Sequence, residues 1–288
     1  MTKGAMGRRP DNQIVGVCRF SYPATGGFRL SDKGHDAVVE ALYDPGRMRR
    51  RFAYFEKICL PSLAAQTDPD FKFVALFGDA MPLKWRRRLK ALRTSYPFLE
   101  LCAAEPLGPL QATRRAFRIG AVADVPFVTG FRLDDDDALA CDYVERLRAS
   151  ADRMLGSGWA DAETPVAIGY QSGLYWALDQ PGLPLFRFTE ARPVGQGSAM
   201  VMPYDSKQNI FRWNHAFLPA HVRCWTDPAP EMFVRTLHGG NDSTRSVPAK
   251  AQRLTPPVAA SLLRDRFGLA PVKIRPQLAR LHGTVPTA

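Results

Sequence analysis

Cysteine is scarce in this chain: five in 288 residues, at positions 18, 59, 102, 141 and 224, with no C-x-x-C pair among them. An odd number at wide spacing argues against a disulfide framework and against a zinc site, and predicts reduced core thiols in a cytoplasmic protein. Long apolar runs are also missing. No stretch approaches the roughly 20 residues that cross a bilayer, which excludes an integral membrane protein. The opening MTKGAMGRRPDNQ carries positive charge without a following hydrophobic region, so it does not read as a secretory signal, and residues 1–13 are expected to form a disordered lead. The sequence has neither GxxxxGK[ST] nor GxGxxG, so P-loop and dinucleotide-binding readings fall. It shows no internal repeat.

What is present is ordinary in bulk and skewed in charge. Hydrophobic residues make up 45% and charged residues 23%, as in a soluble globular enzyme with one large core. Lys and Arg number 39 against 28 Asp and Glu, a net charge of +11. Such an excess implies an anionic partner: a phosphorylated small molecule, a nucleic acid or a lipid surface. Basic clusters stand at 47–52 (RMRRRF) and 84–90 (KWRRRLK), both in helix-like segments. For the second, a solvated helix face explains the charge at least as well as a binding site does.

The first half alternates short apolar runs with helical patterns. IVGVCRF (14–20) reads as a buried strand containing Arg19, FKFVALFGD (71–79) as a second, FLELCAA as a third and PFVTGFRL as a fourth. SYPATGGFRLSDKGHD supplies a loop after the first. Between 47 and 66, apolar residues at Phe52, Phe55, Ile58, Cys59 and Leu63 recur at helical spacing, so a helix interrupted or kinked by Pro61 is expected. Further helices begin near Pro82 and span 108–125. This order predicts an α/β domain with a mainly parallel central sheet flanked by helices. Beyond residue 140 the texture changes. CDYVERLRASADRML is a helix, AIGYQSGLYWALD one strand, and PLFRFTEARP and SAMVMPY further strands. The tail, 246–288, is expected to wrap the surface with one short helix, SLLRDRFG.

The most distinctive feature is a run of four carboxylates, Asp134 to Asp137, directly after VPFVTGFRL. Side by side they repel one another, and hard divalent ions such as Mg²⁺ and Mn²⁺ prefer carboxylate oxygens. Ligands gather at the carboxyl ends of strands in α/β sheets, where this run falls. An acidic turn that caps the next helix would need only one or two aspartates. An EF-hand would match Asp134, Asp136 and Glu145, but Ala138 and Leu139 replace its oxygen ligand and glycine.

LPSLAAQTDPDFKFVALFGD resembles the early segment of family-2 glycosyltransferases, in which a helix ending in a Ser-Leu-x-x-Gln-Thr-like sequence precedes the second strand, and LDDDD resembles their DxD segment. The early CRF, the RLDDDDAL core and the later LHGGNDS together resemble a bacterial rhamnosyltransferase family over roughly 14–245. The resemblance implies a GT-A-like single domain with a donor half (14–140) and an acceptor half (141–245). It implies a nucleotide-sugar donor carrying rhamnose on a nucleoside diphosphate, a glycan or lipid-linked acceptor, and Mn²⁺ or Mg²⁺ as cofactor. Carried over, Asp134 approaches the donor ribose, Asp135 is the intervening position, and Asp136 binds the metal. The alternative register pairs Asp135 with Asp137. Arg114 or Arg115 stands where related enzymes carry an arginine before the DxD strand, and Arg19 is placed with them at the donor. His238, in LHGGNDS, is the implied third metal ligand, with Asn241 and Asp242 holding the loop or touching donor phosphates.

Chemistry supports the same site, because breaking a glycosyl phosphate bond builds negative charge on the departing nucleoside diphosphate, which a cation or basic side chain stabilises. A general base must take the acceptor proton; Asp227 is the first choice and Glu231 the second, with Asp205 and His215 behind them. Tyr170, Tyr175, Trp176, Phe186, Phe211, Trp213 and Trp225 could stack on sugar rings, although core packing explains most of them. QGSAM (196–200) corresponds to a small-residue segment that would let an acceptor approach the donor, because glycine permits close backbone contact. Competing readings are a Mg²⁺-dependent phosphatase or nucleotidyltransferase, and a basic protein that binds nucleic acid or a membrane surface without catalysis. No specific nucleic-acid motif is present, while peripheral contact with the anionic inner membrane is compatible with the charge.

Overall fold

Runs of Val, Ile, Phe and Leu too short for helices form strands buried on both faces. A computed structural model describes residues 11–25, 34–228, 230–241 and 246–282. In it β1 (Asn12–Arg19), β2 (Phe71–Gly78), β3 (Leu99–Ala104) and β4 (Phe127–Arg132) lie parallel in the spatial order β3-β2-β1-β4. Asn12 and Gln13, assigned to a disordered lead by sequence, belong to β1, paired with Phe127 and Val128; Asn12 also accepts a hydrogen bond from Thr129. Residues 1–10 lie outside the described residues.

The connections are helical. α1 (His35–Leu42) starts in the last two residues of the segment read as loop, continues through residues given no element by sequence, and buries Val38 and Leu42. Then come α2 (Pro45–Tyr54), a single π-helical stretch (Phe55–Cys59) and α3 (Leu60–Ala64). Pro61 lacks the N–H that would bond the carbonyl one turn back, and the widened turn carries the helix past that defect. Next are α4 (Leu83–Ser95) and α5 (Pro109–Gly120), on either side of β3 in the chain.

After β5 (Ala138–Leu139) and α6 (Tyr143–Gly156), AIGYQSGLYWALD is two strands rather than one: β6 (Val166–Tyr170) and β7 (Ser172–Ala177). Gln171 separates them, donating its N–H to the Asp227 carbonyl and accepting from the Glu190 N–H. β6 joins the large sheet with β9 (Ala199–Pro203) and β10 (Arg223–Asp227), giving the order β10-β6-β9-β4-β1-β2-β3. β9 is antiparallel to both neighbours, so β6 and β10 run in the direction of β4. β7 enters a second sheet, ordered β12 (Gln252–Arg253), β8 (Leu185–Thr189), β7, β11 (Phe233–Leu237), β5. The large sheet thus draws strands from both sides of residue 140.

The tail departs most from expectation. It carries α7 (Pro256–Phe267) and α8 (Pro271–His282), not one short helix. Pro256 and Pro257, which look like loop residues, occupy the first turn, where a missing N–H costs nothing. Ala259, Leu263 and Phe267 form a stripe at four-residue spacing that enters the main core, and Gly268 ends the helix in the left-handed conformation (φ 64°). Phe267→Ala should therefore cost about 3–5 kcal/mol by denaturant unfolding, as for a buried core aromatic. A loss within about 0.5 kcal/mol, typical of surface sites, would return the tail to a surface wrap.

Candidate active site

After β1 the chain builds β2 and β3 on one side, then returns to place β4 on the other. That reversal makes the carboxyl ends of β1 and β4 a topological switch point, the place where open α/β sheets bind their ligands. Just past β1, Ser21 adopts φ 53°, strain of the kind that gathers at functional sites. Arg47 holds it, donating to Ser21 Oγ at 2.8 Å and to the Leu42 carbonyl at 2.9 Å. Arg19 and Arg132, at the ends of β1 and β4, both pack against the Phe211 ring, 5.4 and 5.1 Å from its centroid. Arg19 Nε is buried without a hydrogen-bond partner. Among the described residues no carboxylate lies within ion-pairing distance of either guanidinium. Burial, reinforced by Arg19 against the opposing charge of Asp134, lowers the pKa of Arg132.

The four aspartates separate sharply by environment. Asp134 is partly exposed, whereas Asp135, Asp136 and Asp137 are 0%, 4% and 3% exposed. Arg51, from α2, meets the second and third: its Nε donates to Asp135 Oδ2 at 2.7 Å and its Nη1 to Asp136 Oδ2 at 2.9 Å. Its Nη2 is in ion-pair contact with Asp135 Oδ1 without hydrogen-bond geometry. Asp136 Oδ2 also meets His238 Nε2 at 3.0 Å and Asn241 Nδ2 at 3.4 Å. His238 Nδ1 accepts from the Gly240 N–H, which leaves the proton of the neutral ring on Nε2, pointing at Asp136. Tyr54 stacks on that ring at 4.3 Å. Asp137 accepts from the Thr236 N–H at 2.9 Å and from Gln196 Nε2 at 2.8 Å.

These contacts set the charges. Burial pushes Asp135 up to about 7 against the pull of Arg51, and burial with the charges of Asp136 and Asp134 pushes Asp137 well above the carboxylate range. For Asp136 burial acts in the same direction but is outweighed by Arg51 and by the His238 hydrogen bond, which hold it low. Arg51 thus brings a positive charge to the buried part of the run, and burial favours the protonated form of Asp135 and Asp137.

The Ser-Leu-x-x-Gln-Thr segment proves to be the clip that positions it. Ser62 Oγ accepts from the Leu139 N–H, and Gln66 donates to the Ala140 carbonyl while accepting from the Val144 N–H. Thr67 donates its N–H to the Cys141 carbonyl and its hydroxyl to Glu145. Residues 139–145 are thus tied to the end of α3, with the aspartates immediately before them.

Other anticipated residues are more scattered. Arg115 pairs with exposed Glu105 at 2.6 Å, at the end of β3 and two strands from β1. Arg114 lies beside it on α5 with a buried, unpartnered Nε, lining a small cavity with Phe117 and Asn209. Glu231 is held by Arg187 at 2.5 Å. Asp227 ends β10, on the same sheet edge as the end of β4. His215 is held down to about 4 by burial and by Arg132 and Arg235. Asp205 follows β9 in an exposed turn, and Asp242 lies outside the described residues. Tyr170, Tyr175 and Trp176 are core, whereas Phe211, Trp213 and Trp225 remain partly exposed. Sequence reading missed Arg51, Arg132 and Thr236 as parts of the site, and placed Gln196 there only as the start of QGSAM, without its contact to Asp137.

The residues do not fit a divalent ion well. Among the described residues no three His, Cys, Asp or Glu side chains are grouped to hold one. Oδ2 of Asp135, Oδ2 of Asp136 and both oxygens of Asp137 already accept from Arg51, His238, Asn241, Thr236 and Gln196, and Asp135 Oδ1 faces Arg51 Nη2.

The mainly parallel sheet flanked by helices belongs to the class of open α/β folds, whose ligands sit at the carboxyl ends of the strands. Residues 13–250 match the family described as "Putative rhamnosyl transferase", and the chain belongs to that family. No curated protein matches the sequence. Similar solved structures include S. aureus TarS 1-349 in complex with UDP-GlcNAc, at 12% identity and TM-score 0.42, covering 96% of this chain and 73% of that one. For TarS 1-349 in complex with UDP the identity is 12% and the TM-score 0.39, over 78% of this chain and only 60% of that one. HddC from Yersinia pseudotuberculosis matches at 14% identity and TM-score 0.33, over 77% and 92% of the two chains.

The raised pKa of Asp135 has a sign that can be tested. Between its unfolded value near 4 and its folded value of about 7, the folded chain keeps a proton that the unfolded chain has lost. Its stabilisation is complete below the lower value and fades as pH rises through the upper one. Asp135→Asn cannot ionise, so its melting temperature relative to wild type should improve from pH 5 to pH 8. Parallel curves would place the proton elsewhere.

Proposed function

We propose that the chain transfers a sugar, rhamnose by the name of its family, from a nucleoside diphosphate to a hydroxyl of a glycan or lipid-linked acceptor, at the carboxyl ends of β1 and β4. The observation that carries this reading is the pair Arg19 and Arg132, two guanidiniums on one ring with no carboxylate partner among the described residues. As the acceptor oxygen bonds to the anomeric carbon, the bond to the diphosphate breaks and its electrons leave with the nucleotide. Fixed guanidiniums at that point stabilise the charge as it forms. Asp134, the partly exposed aspartate, can accept hydrogen bonds from ribose hydroxyls. Mn²⁺ or Mg²⁺, expected at Asp136, Asp137 and His238, would meet side chains that are already engaged, and no step is assigned to it.

For the acceptor proton, Asp227 is preferred to Glu231: it ends β10 at the carboxyl end of the large sheet, three strands from β4, while Glu231 is tied to Arg187. Trp213, partly exposed and stacked on His221 at 5.2 Å, offers a platform for a sugar ring. On α4, exposed Lys84, Arg87 and Lys90 accompany exposed Leu83, a combination that supports peripheral contact with an anionic membrane carrying the acceptor. No helix among the described residues is long and apolar enough to cross a membrane.

Melting curves with dTDP, UDP, GDP and CDP test the donor site, since a ligand at about 100 times its Kd stabilises by about 2.7 kcal/mol. One nucleotide should raise the melting temperature, and Arg19→Ala and Arg132→Ala should each weaken its binding about tenfold or more, the loss of roughly 1.4 kcal/mol. No shift with any of the four would remove this reading. Asp227→Asn should lower turnover by about 10²- to 10⁴-fold with nucleotide affinity retained; unchanged turnover would take the base role away from it.

A further inference from the structure

We infer that Arg51 is the built-in counter-cation of the aspartate run, and that nucleotide binding at this site needs no divalent metal. The inference rests on the donor site proposed above, but its grounds are separate. A metal on Asp136 would have to approach to about 2.0–2.6 Å, yet Asp136 Oδ2 already accepts from Arg51, His238 and Asn241. Both oxygens of Asp137 are used, by Thr236 and Gln196. His238 presents its Nε2 proton, not a lone pair, to the carboxylate, because Nδ1 accepts from Gly240. Any ion placed there would also stand beside the guanidinium.

Arg51 is not a side chain resting on the surface. Its side chain is 15% exposed, and the helix that carries it is fixed on either side by buried Met48, Phe52 and Phe55. It spans two carboxylates with three nitrogens, the planar arrangement that suits arginine and not a point charge. One turn along, Tyr54 stacks on His238, so the same helix also fixes the ring that a metal would need to recruit.

Two measurements on the unaltered chain decide the matter. Free Mn²⁺ followed by electron paramagnetic resonance should be unaffected by the wild-type protein at millimolar metal, and UDP, dTDP, GDP or CDP should bind with the same affinity in EDTA as in Mn²⁺. Arg51→Ala should acquire Mn²⁺ binding and make nucleotide affinity depend on metal; Arg51→Lys, which keeps a cation, should bind Mn²⁺ less than Arg51→Ala. Sub-millimolar Mn²⁺ binding by the wild type, or a loss of nucleotide affinity in EDTA of about tenfold or more, would overturn the inference. If no nucleotide binds in either buffer, the donor reading fails, and the Mn²⁺ titration of the wild type still tests the role of Arg51.

Discussion

The guanidinium of Arg51 lying across Asp135 and Asp136 is the contact on which the arrangement of the site turns. Three neighbouring carboxylates cannot be buried without compensation, because each ion taken from water carries a desolvation cost of several kcal/mol. Arg51 supplies one positive charge and the orientation, and burial favours the neutral form of Asp135 and Asp137. Removing one member of such a buried pair typically costs about 3–5 kcal/mol, since it strands the other. The helix bearing Arg51 is thereby bound to the end of β4. The π-helical stretch at Phe55–Cys59 lets that helix continue past Pro61, so that Ser62 and Gln66 still reach residues 139–144.

Neutralising the aspartates internally has a second effect. An uncompensated acidic shelf at the carboxyl ends of β1 and β4 would repel a diphosphate. With Asp136 paired and burial favouring the neutral form of Asp135 and Asp137, the field there is set by Arg19 and Arg132, with Asp134 the partly exposed carboxylate of the run. The overall charge of +11 favours anionic ligands in general. The pairing pattern decides where that preference becomes local.

The parallel sheet was legible because buried strands are short apolar runs between helical patterns, and that signal is strong for β1 to β4. AIGYQSGLYWALD misled because its two strands are separated by Gln171 alone, and the bonds that send them to different sheets join residues far away in sequence. In the tail, two prolines masked the start of α7. At the site, composition exposed the aspartates and the LHGGNDS motif exposed His238, whereas Arg51 was hidden among the four arginines of RMRRRF, which composition does not tell apart. Its partners lie 84 and 85 positions away. A fainter signal existed: Arg47 and Arg51 are four apart, flanked by Met48, Phe52 and Phe55, so a helix burying those apolar residues brings both arginines toward the core boundary.

An acidic motif states how much charge must be compensated, not what compensates it. Metal ions, arginines and protons all satisfy the same aspartates, and only the surrounding hydrogen bonds distinguish them. A guanidinium fixed during folding differs from a metal in when the compensation occurs. The cost of ordering the cluster falls on the folded state before any donor arrives, so the site need not recruit an ion or reorganise its carboxylates as the leaving group gains charge. The Ser62, Gln66 and Thr67 clip belongs to the same logic, since it restrains the backbone just after the run and leaves the aspartates little freedom to re-form around a different cation.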